Sequence, residues 1–138
     1  MAPVMKAMGA FTDRKLPTRV RMMVEYLNGV TDRFQETGAA MMLVLDYEGD
    51  QELSAIALPH VEMFLLAHRD HALSKADSLN RDDLSSHVEL VVADSSKKLQ
   101  AETHRLFTGS PHVFELSDFH SKTEALVSGV GYGWLPRH

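Results

Sequence analysis

Cysteine is absent from this chain. Disulfides and thiolate chemistry are therefore excluded, and a reducing compartment suits the composition. A basic excess is absent too: 14 Lys and Arg stand against 19 Asp and Glu, for a net charge of −5. A domain that gripped nucleic acid with its own surface would carry a basic face, so DNA binding by this chain alone is not expected. Arg14, Lys15, Arg19 and Arg21 do cluster; they read as a solvated turn and the exposed side of a strand. No apolar run approaches the roughly 20 residues that a membrane span requires. Met1 to Phe11 holds only Lys6 as a charge and no long apolar stretch, so an export signal is not expected and the cytoplasm is the expected location.

What is present suits a globular protein. Hydrophobic residues are 44% and charged residues 24% of 138, enough for one domain or two small lobes sharing a core. Val4, Met5, Met8 and Phe11 fall at helical spacing, with Pro3 tolerable in the first turn. Arg19 to Leu27 alternates as a strand does, and Asn28-Gly29 ends it. Val30 to Thr37 reads as a helix stopped by Gly38. Ala39 to Leu45 is continuously apolar, as in a parallel strand covered on both faces. Strand, helix and strand in this order predict a β-α-β unit.

Beyond the turn at Tyr47-Glu48-Gly49-Asp50, two short apolar runs, Ser54 to Leu58 and Val61 to Ala67, flank Pro59 and predict two strands or one bent strand. A helical turn is expected near Asp82 and a strand over His87 to Ala93. Asp94-Ser95-Ser96 then suits the cap of a helix over Lys97 to Phe107. Val113 to Leu116 is a strand, Ser117-Asp118 a second cap, Lys122 to Val127 a helix closed around Gly129, and Tyr132 to Leu135 a last strand. The fold class is thus α/β with an open sheet. In such sheets ligands bind at the carboxyl ends of strands, beside helix N-termini. Three such junctions are Asn28 to Thr31, Asp94 to Ser96 and Ser117 to Phe119; each is also readable as an ordinary cap.

Catalytic and metal chemistry finds little footing. His68, Asp70 and His71 lie close together, but no second tight His/Asp cluster joins them, so a polar turn is the reading. No glycines frame Ser95, Ser96 or Ser117 as a nucleophile elbow requires. Gly129-x-Gly131-x-Gly133 lies between a helix and a strand, the wrong order for a dinucleotide loop. No cofactor is expected. Tyr132 and Trp134 are expected to fill core or hinge space.

Taken in order, the segments resemble the effector-binding domain of LysR-type transcription regulators. MAPVMKAMGAF resembles that family's first helix, and TRVRMMVEYLNGVTDRFQETGAAMMLVLDYEG its next strand, helix and strand. VEMFLLAHRDHALSKADSLNRDDL is similar to its strand, histidine-containing turn, loop and short helix. SDFHSKTEALVSGVGYGWLPRH follows its pattern of strand, helix, glycine-x-glycine and a strand ending leucine-proline. Two positions depart: Ala72 follows His71 where the family usually has proline, and Met41 and Met42 stand near the place of a usual aspartate.

The resemblance implies a two-lobed fold like that of type 2 periplasmic binding proteins, with 1–57 a partial first lobe and 58–138 the second. It implies a small-molecule effector, a carboxylate or an aromatic, held between the lobes by Asn28, Gly29, Thr31, Asp46 and Tyr47 on one side. Ala93, Asp94, Ser95, Ser117, Asp118 and Phe119 would face them. It further implies a homo-oligomer joined through the first lobe, a non-enzyme, and DNA contact only through a helix-turn-helix domain outside this chain, which reads as cut short at both ends. A transporter's solute-binding protein is the alternative reading, and a small α/β enzyme a weaker one.

Overall fold

The computed structural model describes residues 2–15, 17–45, 47, 49, 52–96 and 107–137. Helix α1 covers Ala2–Asp13, two residues beyond the expected end. Helix α2 covers Gly29–Thr37, and strand β1 covers Met63–Ala67. A 3₁₀ turn, η1, spans Ala72–Lys75, and α3 is a five-residue helix, Arg81–Ser85. Strands β2 (Glu89–Val92) and β3 (Val113–Leu116), helix α4 (Phe119–Val127) and strand β4 (Tyr132–Pro136) complete the order. The expected helix over Lys97 to Phe107 lies outside the described residues, apart from Phe107.

Three segments expected as strands do not form them. The described residues of 17–45 belong to no sheet, which overturns the β-α-β unit predicted there. Alternation over Arg19 to Leu27 and apolarity over Ala39 to Leu45 favour extended backbone. A strand exists only where a neighbouring backbone supplies hydrogen-bond partners. The consequence is exposed apolar surface: Met41 is 82% and Leu45 69% exposed. Ser54 to Leu58 likewise forms no strand, and sheet structure starts only at Met63, beyond Pro59.

The sheet is mixed, in the order β1-β4-β2-β3. β1 and β4 run antiparallel, with Leu65 opposite Trp134 and Ala67 opposite Tyr132. β2 lies parallel to β3 along its whole length and parallel to β4 at Glu89 and Tyr132. The glycine-x-glycine pattern has a packing cause. A Cβ on Gly131 would stand 3.0 Å from the Val88 carbonyl carbon, and one on Gly133 would stand 2.6 Å from Leu90 O. Bare backbone lets β4 approach β2 closely enough for Tyr132 N to donate to Val88 O at 3.0 Å. Gly129, at φ 73°, ends α4 in a Schellman arrangement, with Gly129 N donating to Leu126 O and Val130 N to Ala125 O.

Helix α4 presses Lys122 and Leu126, one turn apart, onto the sheet. Among the described residues, Leu126 joins Leu90, Tyr132 and Leu73 as the buried hydrophobic side chains. Beside them lies a buried polar cluster. Glu89 is 0% exposed. Its Oε1 accepts from Thr108 N at 2.7 Å, and its Oε2 accepts from Thr108 Oγ1 at 2.7 Å and Ser110 N at 3.2 Å. Thr108 Oγ1 also shares a hydrogen bond with the Tyr132 hydroxyl at 2.8 Å. A short loop is thereby tied to the centre of the sheet, which meets the requirement that buried polar groups be paired. Lys122 is the nearby cation. Burial lowers its pKa to about 8, against the opposing pull of Glu89.

Candidate functional site

The parallel strands bring two of the three sequence-predicted junctions side by side. Val92 lies opposite Leu116, so the residues that follow, Ala93 and Ser117, leave the same end of the sheet. Ala93 N donates to Leu116 O at 2.9 Å and keeps the two exits together. This is the carboxyl end of parallel strands, the side on which α/β sheets hold ligands.

The third junction docks onto the first of these. Asn28 Nδ2 donates to Asp94 Oδ2 at 2.8 Å, and Gly29 N donates to Asp94 Oδ1 at 3.2 Å. Next to this pair, Ser95 Oγ accepts from Tyr26 N at 2.8 Å, and Ser95 N donates to Tyr26 O at 3.2 Å. Gly29 is buried here. A Cβ on it would press on Ser95 Oγ and stand 2.8 Å from the Ser95 carbonyl carbon, so only glycine permits the approach. Leu27 turns the chain into α2 at φ 54°, a left-handed conformation that costs a non-glycine residue about 1–3 kcal/mol.

The cap expected at Asn28 is not made by its own side chain. Asn28 has helical backbone angles, φ −65° and ψ −22°, and no side-chain cap bond; its amide is turned outward to Asp94 instead. The carboxylate of Asp94 takes the capping place, accepting Gly29 N in the first turn of α2. The same Oδ1 accepts Ser96 N at 2.8 Å. Burial acts to raise the Asp94 pKa, but Ser96 N, the Asn28 amide and Gly29 N together hold it below the ordinary aspartate value.

The Ser117 to Phe119 junction contributes unevenly. Asp118 is an ordinary N-cap of α4: its Oδ1 accepts from Ser121 N at 2.8 Å, and its Oδ2 accepts from Ser117 Oγ at 2.7 Å. These bonds, the Ser121 N–H foremost, lower its pKa. Phe119 points to the other junctions, its ring 5.9 Å from that of Tyr26 at 55°. Behind it, Lys122 Nζ stands 5.9 Å from the ring centroid. Thr31 is exposed on the first turn of α2, and Tyr47 is exposed; Asp46 lies outside the described residues.

The structure therefore gathers Asn28, Gly29, Asp94, Ser95 and Phe119 and adds Tyr26, which the sequence reading had placed only as one position of a strand. The available signal was an aromatic residue two positions before Asn-Gly at a strand's expected end. Lys122 was also missed. Phe119, Lys122 and Leu126 fall at helical spacing, and a lysine inside an otherwise apolar stripe marks a buried amine. Asn28 and Gly29 meet Asp94, and Tyr26 meets Ser95, by direct hydrogen bonds, while Phe119 joins them through its ring contact with Tyr26. Two concavities lie elsewhere: one of about 220 Å³ bordered by Leu73, Asp83 and His87, and one of about 410 Å³ bordered by Met8, Phe11 and Val20. Among the described residues, no helix is long and apolar enough to cross a membrane.

A comparison with curated proteins gives no match. A family model described as the LysR substrate binding domain matches residues 2–138, and that family combines a type 2 periplasmic-binding-protein-like fold with the sensing role in regulators rather than enzymes. Covered over nearly its whole length, with strand exits, helix N-termini and a mixed sheet arranged as above, the chain belongs to the LysR substrate binding domain family and is the ligand-sensing regulatory domain of a LysR-type transcription regulator.

Proposed function

We propose that the effector enters where Asn28 and Gly29 meet Asp94 and Ser95, with Phe119 and Tyr26 beside it. The observation that carries this reading is the pair of hydrogen bonds from Asn28 and Gly29 to one carboxylate, 66 and 65 positions away in sequence. The donors at this place already hold a carboxylate, so a small carboxylate effector would compete with Asp94 for Gly29 N and the Asn28 amide. An aromatic effector would find ring faces in Tyr26 and Phe119. Parting Asn28 from Asp94 would change how the segment before α2 sits on the sheet, a differential contact of the kind a two-state sensor requires. Thr31, Tyr47, Asp46, Ala93, Ser117 and Asp118 are proposed as the surroundings of this site.

The wider role follows the family. Residues 1–57 and 58–138 are proposed as the two lobes, a division supported by the confinement of every described strand to Met63–Pro136. Exposed Met41, Leu43 and Leu45 support a homo-oligomer joined through the first lobe. Net charge of −5 supports assigning DNA contact to another part of the regulator. The chain acts as a cytoplasmic sensor without catalysis of its own.

The site is tested by amide NMR of the full chain during titration with a panel of aliphatic and aromatic carboxylates. Ligands that bind are expected to move Gly29, Ser95 and Phe119 first. Saturable binding that moves only residues around the Leu73–His87 concavity would overturn the assignment.

A further inference from the structure

Three histidines converge just after β1, away from the proposed effector site. His71 precedes η1 with φ −66° and ψ 148°, and its Nδ1 accepts from Leu73 N at 3.2 Å. Its ring meets that of His87 edge-on, with centroids 4.8 Å apart and planes at 65°. His68 anchors the turn: its carbonyl accepts from His71 N and Ser74 Oγ, both at 2.8 Å. The side chain of His68 lies against Gly129 at the end of α4, where an added Cβ would be 3.7 Å away. Leu73, whose amide depends on His71, is buried.

A ring nitrogen that accepts from a backbone N–H is unprotonated. Protonating His71 at Nδ1 would set two donors face to face and place a cation against the edge of His87. The two histidines nearest His71 add to that cost. His87, beyond α3, and His68, in the same turn, both oppose its charge. Asp83 on α3 borders the concavity shared by Leu73 and His87, and Asp70 lies 3.8 Å from His68 Nδ1. Burial first, then His87 and His68, lower the His71 pKa. The unfolded chain consequently takes up this proton before the folded one as pH falls. What the neutral ring contributes is complete above about pH 6.5, the ordinary histidine value, and is lost below it.

We propose that His71, seated against His87 and capping the Ala72–Lys75 turn, is a proton-operated latch. Neutral, it holds the turn closed over Leu73; protonated, it releases residues 71–76 and opens the adjoining concavity. The domain thereby acquires a response to acid that is separate from effector binding and needs no effector to be observed.

Hydrogen exchange of the full chain, corrected for intrinsic rates, reads the latch at the Leu73 amide. Between pH 7.5 and 5.5 the wild-type protection factor is expected to fall severalfold, up to about tenfold, since the opened turn takes up its proton near the ordinary histidine value of about 6.5 and each unit below that multiplies the protonated share by about ten. His71→Asn keeps a side-chain acceptor without a titrating ring, and its Leu73 protection is expected to stay within about twofold. Parallel loss in wild type and variant would overturn the proposal. Direct NMR titration of the wild-type His71 ring gives a second check independent of the variant: the folded ring should titrate below about pH 6.5, the ordinary histidine value, and a midpoint at or above that value would also overturn it.

Discussion

Replacing Glu89 with alanine should come close to unfolding this domain. Its carboxylate is fully buried and accepts three hydrogen bonds, from Thr108 N, Thr108 Oγ1 and Ser110 N, with Lys122 as the nearby cation. Glu89→Ala leaves two backbone N–H groups without acceptors, at about 1–3 kcal/mol each. It also removes the carboxylate whose charge favours the ammonium of Lys122, 5% exposed, which adds to the loss. These costs overlap, because water entering the vacated space would meet some of the donors and the Thr108 hydroxyl keeps Tyr132. A loss of about 3–5 kcal/mol is expected, against a total of about 5–15 kcal/mol for an ordinary domain. Urea unfolding followed by Trp134 fluorescence and far-ultraviolet circular dichroism measures it. The coupling with Lys122 is read from a cycle with Lys122→Met, in which the double variant should lose less than the two single losses combined. A Glu89→Ala chain within about 0.5 kcal/mol of wild type would refute the view that this carboxylate clamps the Thr108 loop to the sheet.

Three further outcomes are expected. Lys122 holds its proton more weakly in the folded chain, at a pKa of about 8, than in the unfolded chain near 10.4; stability should therefore rise with pH across that window, by on the order of 3 kcal/mol. The rise should disappear in Lys122→Met, and equal pH slopes in the two chains would contradict the burial argument. Gly29→Ala should destabilise by about 1–3 kcal/mol through overpacking against Ser95, and an unchanged urea midpoint would mean that α2 is not seated there. Light scattering at micromolar concentration should give at least a dimer, dispersed by Met41→Lys and Leu43→Lys together; a wild-type monomer would show that the exposed apolar residues near the start of the chain have no homotypic partner.

Much of the second half was legible in the sequence because its signals are local. Val113 to Leu116 lies between turn residues and is a strand as expected. Asp118 caps α4, and Gly129 ends it, through bonds that span only a few residues. The order of helices, turns and glycines was also sufficient to identify the family, since each motif rests on backbone geometry within one short segment.

The first half shows where that legibility stops. Periodicity over Arg19 to Leu27 and Ala39 to Leu45 specifies which faces are apolar, but not whether another backbone lies alongside, and pairing decides whether a strand exists. The proposed effector site has the same dependence. The sequence pattern marked Asn28, Gly29, Asp94 and Phe119 as members of strand-to-helix junctions, and only the family resemblance set those junctions facing one another. That Asn28 turns from its own helix to Asp94, and that Gly29 is glycine because Ser95 occupies the space of a side chain, follows only from the meeting of distant segments. Glu89 is the clearest case: it falls inside the expected strand His87 to Ala93 with nothing local to mark it, yet the Thr108 loop closes over it and makes it the most deeply buried charge-bearing side chain described. Local composition determined the helices and the caps of α3 and α4, and long-range contact alone decided which glycines had to stay bare and which polar groups became the interior.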